Sequence, residues 1–258
     1  MTTYIVGDIH GCVKTLSALV DQINPSDSDA FVLLGDYVNK GPDSVGVIRL
    51  CQTLPHCTHL LGNHDVAMIA GYYGEVLPDK HVAFQQIMSE PDHPALFDWL
   101  MKGRLCYVNH EANFCAVHAG IWPTWQRADC ERIDVLLQQF GWHNVIAHGR
   151  CYPHDSRPAD GTLSWLMDAL TITTNLRYTD CDGACVWGRT EAPPQPGLVP
   201  WYQWPRKLEC PVYFGHWATL TLPPRPDAIH LDGGVAYKKS LRACAHETGE
   251  IYSCEYQG

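Results

Sequence analysis

With 258 residues, 46% of them hydrophobic, the chain can bury one large core; no Gly/Ser-rich or Pro-rich linker divides it, so a single domain over 1–258 is expected. A formal charge of −10 argues against nonspecific attraction to nucleic acid or an anionic membrane, so a phosphate-bearing substrate must be drawn by local cations or metal. No apolar run approaches the roughly 18 residues of a membrane span, and the first strand begins within a few residues of Met1, leaving no room for a signal peptide; the expected compartment is the cytoplasm.

Tyr4-Ile5-Val6 leads into Gly7-Asp8-Ile9-His10-Gly11. Helical period follows over residues 14–22, then Phe31-Val32-Leu33-Leu34 leads into Gly35-Asp36. Pro42-Asp43-Ser44 forms a helix cap for residues 44–53, and His59-Leu60-Leu61 leads into Gly62-Asn63-His64-Asp65. Each polar cluster thus follows a buried strand and a glycine. Strand, helix, strand in repetition predicts parallel strands with adjacent carboxyl ends, the edge at which open α/β sheets bind ligands.

Residues 72–101 read as an inserted helical segment capping the site, with Val82, Phe84, Ile87 and Met88, then Leu96, Trp99 and Leu100, at helical spacings. Phe114-Cys115-Ala116-Val117 before His118 and Val212-Tyr213-Phe214-Gly215 before His216 repeat the strand-end pattern. Between them, 141–200 lacks periodicity and is rich in Pro, Asp and Gly, which predicts an irregular surface excursion. Ile229-His230-Leu231, Ser240-Leu241-Arg242 and Ile251-Tyr252-Ser253 suggest a second set of antiparallel strands.

The twelve cysteines contain no C-x-x-C pair, so buried reduced thiols are expected rather than a zinc or disulfide framework. Seven of the fourteen histidines, His56, His59, His81, His93, His143, His154 and His246, lie in polar or unpatterned surroundings and read as surface residues. The strand-end set differs: Asp8, His10, Asp36, Asn63, His118 and His216 are carboxylate, amide and imidazole donors without thiolate. Such donors suit two divalent ions, manganese first among Mn, Fe, Co and Zn. Asp36 is the natural bridge, since one carboxylate can hold two ions about 4 Å apart. Two ions sharing a water generate hydroxide near neutral pH and support in-line attack on phosphorus.

In this ordered set, namely Gly7-Asp8-Ile9-His10-Gly11, Gly35-Asp36 with Lys40-Gly41-Pro42, Gly62-Asn63-His64-Asp65, His118-Ala119-Gly120 and Gly215-His216, the chain resembles the calcineurin-like metallophosphoesterases, in their phosphoprotein-phosphatase branch. The resemblance implies a four-layer α/β/β/α sandwich of two mixed sheets. It also implies one metal on Asp8, His10 and Asp36, the other on Asp36, Asn63, His118 and His216, and His64 as the residue that protonates the leaving oxygen.

A finer resemblance is to the bacterial symmetrical bis(5'-nucleosyl)-tetraphosphatases. It is carried by His118-Ala119-Gly120-Ile121 with Trp125, Leu176-Arg177-Tyr178, Leu198-Val199-Pro200-Trp201-Tyr202, Phe214-Gly215-His216-Trp217-Ala218 and Leu231-Asp232-Gly233-Gly234. It implies hydrolysis of diadenosine tetraphosphate to two ADP, with dinucleoside polyphosphates as partners and 5'-capped RNA ends as a second candidate. Neither a membrane nor a stable nucleic-acid complex is expected.

The chain departs from these families at three places. Lys40 stands where an arginine is usual, exchanging a bidentate fork for a flexible point charge. Asn39 stands where protein phosphatases carry the aspartate that orients and charges their histidine. Tyr237-Lys238-Lys239 replaces a typical Trp-Gly-Gly. Lys40 and Arg177 read as phosphate clamps, and Trp217 and Tyr237 as substrate contacts, although Trp217 reads equally well as buried packing. Asp65 caps the following helix or supports a ligand histidine. The competing functions are a serine/threonine phosphoprotein phosphatase with the same metals and a noncatalytic binding module.

Overall fold

A computed structural model of the chain describes residues 1–74, 82–148, 163–186, 197–220 and 223–258. In chain order the elements are β1 (Thr3–Val6), α1 (Val13–Ile23), β2 (Ala30–Leu33), α2 (Ser44–Cys51), β3 (Cys57–His59), α3 (Asn63–Tyr72), α4 (Val82–Ser89) and α5 (His93–Met101). There follow β4 (Cys106–Asn109), β5 (Phe114–Val117), α6 (Arg127–Ala147), α7 (Leu163–Asn175), β6 (Tyr178–Thr179), β7 (Cys185–Val186), β8 (Val199–Pro200), β9 (Val212–Phe214), β10 (Ala228–His230), β11 (Ser240–Ala245) and β12 (Glu250–Glu255). They fall into two compact units, Met1–Arg104 with Leu231–Gly258, and Leu105–His230.

The first unit holds a five-stranded sheet in the order β12-β11-β1-β2-β3. The β1, β2 and β3 strands run parallel, as their crossover helices require, pairing Tyr4 with Phe31 and Leu33 with His59. Helix α1 buries Leu16, Leu19 and Ile23 and ends at Asn24 in the left-handed conformation (φ 49°). Asp43 begins α2 as expected, its carboxylate accepting the Gly46 N–H at 2.7 Å. Helices α4 and α5 supply the helical segment expected over 72–101, apart from 75–81, which lie outside the described residues.

The final strands do not form a set of their own. Strands β11 and β12 are antiparallel to each other, but β11 also pairs with β1, converting a parallel sheet into a mixed one. Strand β10 instead runs parallel to β9 in the second unit, whose four-stranded sheet has the order β10-β9-β5-β4. Alternation showed that these segments were strands; a pairing over more than 200 positions joined β11 to β1, while β10 found β9 16 positions away.

Nor is 141–200 without regular structure. Helix α6 breaks at Gly141 (φ 72°) and continues to Ala147, α7 buries Trp165, Leu166, Ala169 and Ile172, and β7-β6-β8 form a small antiparallel sheet. Residues 149–162 and 187–196 of this stretch lie outside the described residues. Helix α7 escapes a periodicity reading because it is buried on most sides and shows no polar face.

Candidate metal centre

The loops after β1 and β2 are fastened to each other. The N–H groups of Ile9 and His10 both donate to the Asp36 carbonyl (3.2 and 2.7 Å), and Gly11 donates to the Tyr37 carbonyl (2.8 Å). Gly41 in turn donates to the His10 carbonyl (2.8 Å). These bonds hold His10 (φ 49°) and Asp36 (φ 54°) in the left-handed region, which side chains rarely adopt and which costs roughly 1–3 kcal/mol per residue.

The strained backbone brings donors together. His10 Nε2 lies 3.8 Å from Asp8 Oδ2 and 3.5 Å from Asp36 Oδ2, and all three residues are buried. Those separations are too long for hydrogen bonds. They are close to what two ligands, each about 2.1 Å from a common ion, would span, so the donor set fits a divalent cation.

Asp36 is held from below by Asp65. The wholly buried Asp65 carboxylate accepts backbone N–H groups from Asp36 (2.6 Å), Tyr37 (3.0 Å) and Gly62 (2.9 Å). Burial and the Asp36 carboxylate push the Asp65 carboxyl up, while the three donors act in the opposite direction. Of its two expected roles, the cap of α3 is present; its support goes to the backbone of Asp36 rather than to a histidine ring. Gly62 must lack a side chain, because a Cβ there would sit 2.0 Å from Asp36 Oδ1.

Asn63 is the first residue of α3, and the His64 N–H donates to Asp36 Oδ1 at 2.9 Å. The His64 ring meets the His10 ring edge to face, with centroids 5.0 Å apart. The partner of His64 is not missing: Asn39 Nδ2 lies 3.0 Å from His64 Nδ1, while Asn39 Oδ1 accepts the Lys40 N–H at 3.0 Å. With its oxygen so engaged, the amide presents N–H to the ring; Nδ1 therefore accepts and Nε2 carries the proton. Burial, and then the Lys40 charge, lower the His64 pKa to about 4. Treating Asn39 as a neutral counterpart of aspartate would have exposed this contact in the sequence. Asn39 (φ 73°) and Lys40 (φ 70°) continue the left-handed backbone, and Lys40 is exposed.

In the second unit, His118 follows β5 and His216 follows β9, and their rings lie 5.0 Å apart. Gly215 donates to the His118 carbonyl at 2.8 Å, and His216 also takes a left-handed φ of 66°. The Ala119 N–H reaches the Thr173 carbonyl at the end of α7 (2.7 Å), and Gly120 packs on the Trp201 indole. Arg177 Nη2 donates to the His216 carbonyl at 3.1 Å, with the guanidinium 5.9 Å from the Trp217 ring centre.

Trp217 is 0% exposed and meets the Tyr178 and Tyr202 rings in T-shaped contacts. That is the packing half of its two readings, at a position three residues beyond the end of β9. Tyr237, in the first unit, is 61% exposed.

The calcineurin-like phosphoesterase family matches residues 1–173. The chain is 34% identical to a protein of Acidovorax sp. (strain JS42) named "Bis(5'-nucleosyl)-tetraphosphatase, symmetrical", covering 94% of this chain and 91% of that one. It is 30% identical to one of the same name from Cellvibrio japonicus (strain Ueda107), covering 98% of each. A solved structure described as a candidate diadenosine tetraphosphatase superposes with a TM-score of 0.65 at 25% identity, over 100% of this chain and 94% of the other. A cold-active protein-tyrosine phosphatase of a psychrophilic Shewanella shares the fold at a TM-score of 0.52 and 15% identity, over 98% and 80% of the two chains.

Proposed function

The chain belongs to the calcineurin-like phosphoesterase family, and from that premise we propose that it hydrolyses diadenosine tetraphosphate symmetrically to two ADP. The family implies divalent metal ions, and the observation that carries the reading is the convergence of His10 Nε2 with the Asp8 and Asp36 carboxylates on a strained backbone. Asp8, His10 and Asp36 would hold one ion; Asp36, Asn63, His118 and His216 would hold the second, with manganese the proposed metal. Bound ions supply Lewis acidity, which activates water and neutralises phosphoryl charge.

The remaining work falls to this chain's own groups. His64 directs its Nε2 proton at the leaving oxygen while Asn39 occupies Nδ1. A ring held neutral in this way is a hydrogen-bond donor rather than a strong acid. That suffices for a departing phosphate, whose pKa is about 6, and serves a serine or threonine alkoxide poorly; this favours the nucleotide over the phosphoprotein reading. Lys40 and Arg177 are the proposed phosphate clamps, and Tyr237 a proposed substrate contact.

The dinucleoside polyphosphate is the proposed partner, with 5'-capped RNA ends second. We read 1–258 as one catalytic domain in the cytoplasm, with α4 and α5 as its cap; the Gln86 amide on α4 donates to the Pro42 carbonyl at 3.3 Å. Among the described residues no helix is long and apolar enough to cross a membrane.

Hydrolysis of diadenosine tetraphosphate in ¹⁸O-labelled water tests the proposal. ADP should be the only nucleotide product, with label on its terminal phosphate. ATP plus AMP would refute symmetrical cleavage. Inert dinucleotides together with rapid phosphate release from phosphoserine or phosphothreonine peptides would transfer the protein to the phosphatase reading.

A further inference from the structure

The second unit contains a cluster of sulfur atoms that the proposed reaction does not use. Strands β4 and β5 pair Cys106 with Val117 and Val108 with Cys115, which makes the two cysteines diagonal neighbours on one sheet face. Their Sγ atoms are 3.5 Å apart. Cys130 joins them from the first turn of α6, and the three sulfurs all lie within 4.8 Å of one another, each residue buried. Cys210, also buried, stands just before β9, where the Pro211 carbonyl accepts the Cys115 N–H at 2.9 Å.

A buried cation accompanies the thiols. The Arg206 side chain is 1% exposed; its Nη2 is bound to Asp227, while Nε and Nη1 meet no hydrogen-bond acceptor among the described residues. Its charge acts on both Cys115 and Cys210. A guanidinium in a core is costly unless negative charge lies near it. Asp227 supplies one such charge at 2.7 Å, and thiolates beside the guanidinium would add to it.

We propose that Cys106, Cys115 and Cys130 form a structural site for a soft divalent ion of the zinc type. Zinc–sulfur bonds of about 2.3 Å set the sulfurs of a tetrahedral site about 3.8 Å apart, within the range the cluster shows. On binding, each thiol loses its proton to solvent and forms a sulfur–metal bond. Three thiolates leave the divalent centre net negative, and the Arg206 guanidinium offsets that charge. A thiol cage and the carboxylate–imidazole residues at the strand ends select different ions, so one chain can hold both kinds. Three small apolar residues would pack a core as well, but would not need all three sulfurs to lie within 4.8 Å of one another.

The probe is cobalt(II), loaded into the full chain, followed by X-ray absorption on the zinc-loaded chain. Thiolate-to-cobalt charge-transfer absorption, and a shell of sulfurs at about 2.3 Å from zinc, are the expected results. Cys130→Ser and the paired change Cys106→Ser with Cys115→Ser should lose about one ion per chain and the charge-transfer band together. Nitrogen and oxygen scatterers alone in the unaltered chain would overturn the site whether or not the variants fold. A Cys106–Cys115 disulfide in freshly purified protein, seen by mass under nonreducing conditions, would do the same.

Discussion

The strand-end residues of the first unit and the thiols of the second converge by opposite means. His10 and Asp36 reach each other because their loops leave the sheet and enter left-handed backbone, at a cost that interloop hydrogen bonds offset. Cys106 and Cys115 need no strain: they lie within regular strands, and α6 lays Cys130 against them. A site reached by ligands from outside must be built at strand ends, where the backbone is free to bend. A site that serves only the fold can sit inside the pleat.

The contrast breaks most sharply at Asp36. Asp36→Asn removes the proposed bridge, and activity should fall to background with metal lost from the strand ends, measured by kinetics and elemental analysis. Full activity in this variant would sink the two-ion reading.

His64→Ala should retain its metal and lose about 10²–10⁴-fold in kcat on diadenosine tetraphosphate. The loss should grow with an alkyl phosphate ester, whose alkoxide is far more basic than a departing phosphate and depends more on the donor. Equal losses on the two substrates would make His64 structural. Asn39→Ala, which removes one hydrogen bond worth about 1 kcal/mol, should lower kcat about fivefold at unchanged metal content.

Strain itself is tested by two glycines. Gly62→Ala drives a methyl into the Asp36 carboxylate and should reduce metal affinity and melting temperature together. Gly183→Ala, at a left-handed position (φ 86°) but with nothing near its Cβ, should cost only about 1 kcal/mol, whereas Gly62 is extended (φ −90°) and its constraint is purely steric. Equal effects would remove the steric argument for the motif glycine.

Lys40→Ala and Arg177→Ala should lower kcat/KM by about 10–100-fold, the worth of one charge-assisted bond, with nearly constant melting temperature. A large fall in melting temperature with normal turnover per folded molecule would make them structural instead.

An effect on stability alone concerns His59, stacked on Trp99 at 4.0 Å with its pKa lowered to about 4 by burial. Between pH 4 and the usual value of 6.5 the unfolded chain binds the proton and the folded chain does not. Stability should therefore rise with pH across that window, or fall as acid is added, and His59 should contribute roughly 2 kcal/mol after discounting for partial exposure. Denaturant unfolding of His59→Gln should show a flatter profile between those pH values; an identical slope would exclude the residue.

Much of the first unit was legible in order along the chain, because the signals are local. Apolar runs ending in glycine marked β1 and β2, Asp43 marked the start of α2, and intervening helices dictated parallel pairing. The same strand-end pattern placed His118 and His216 after β5 and β9, and the family motifs were complete enough to identify the phosphoesterase from residues alone. What the sequence by itself determined is therefore which residues terminate which strands, since that depends on neighbours a few positions away.

Only tertiary structure decided the rest. Strand β11 joined β1 across more than 230 residues, and α7 was hidden by being apolar on most faces. Trp217 went into the core although its neighbour His216 is a ligand candidate. Asn39 found His64 over 25 positions, and three cysteines without a spacing motif met through a sheet register and a helix start. Each of these is a contact between segments whose separation in sequence carries no information about their distance in space; packing and hydrogen-bond satisfaction across the folded unit select them.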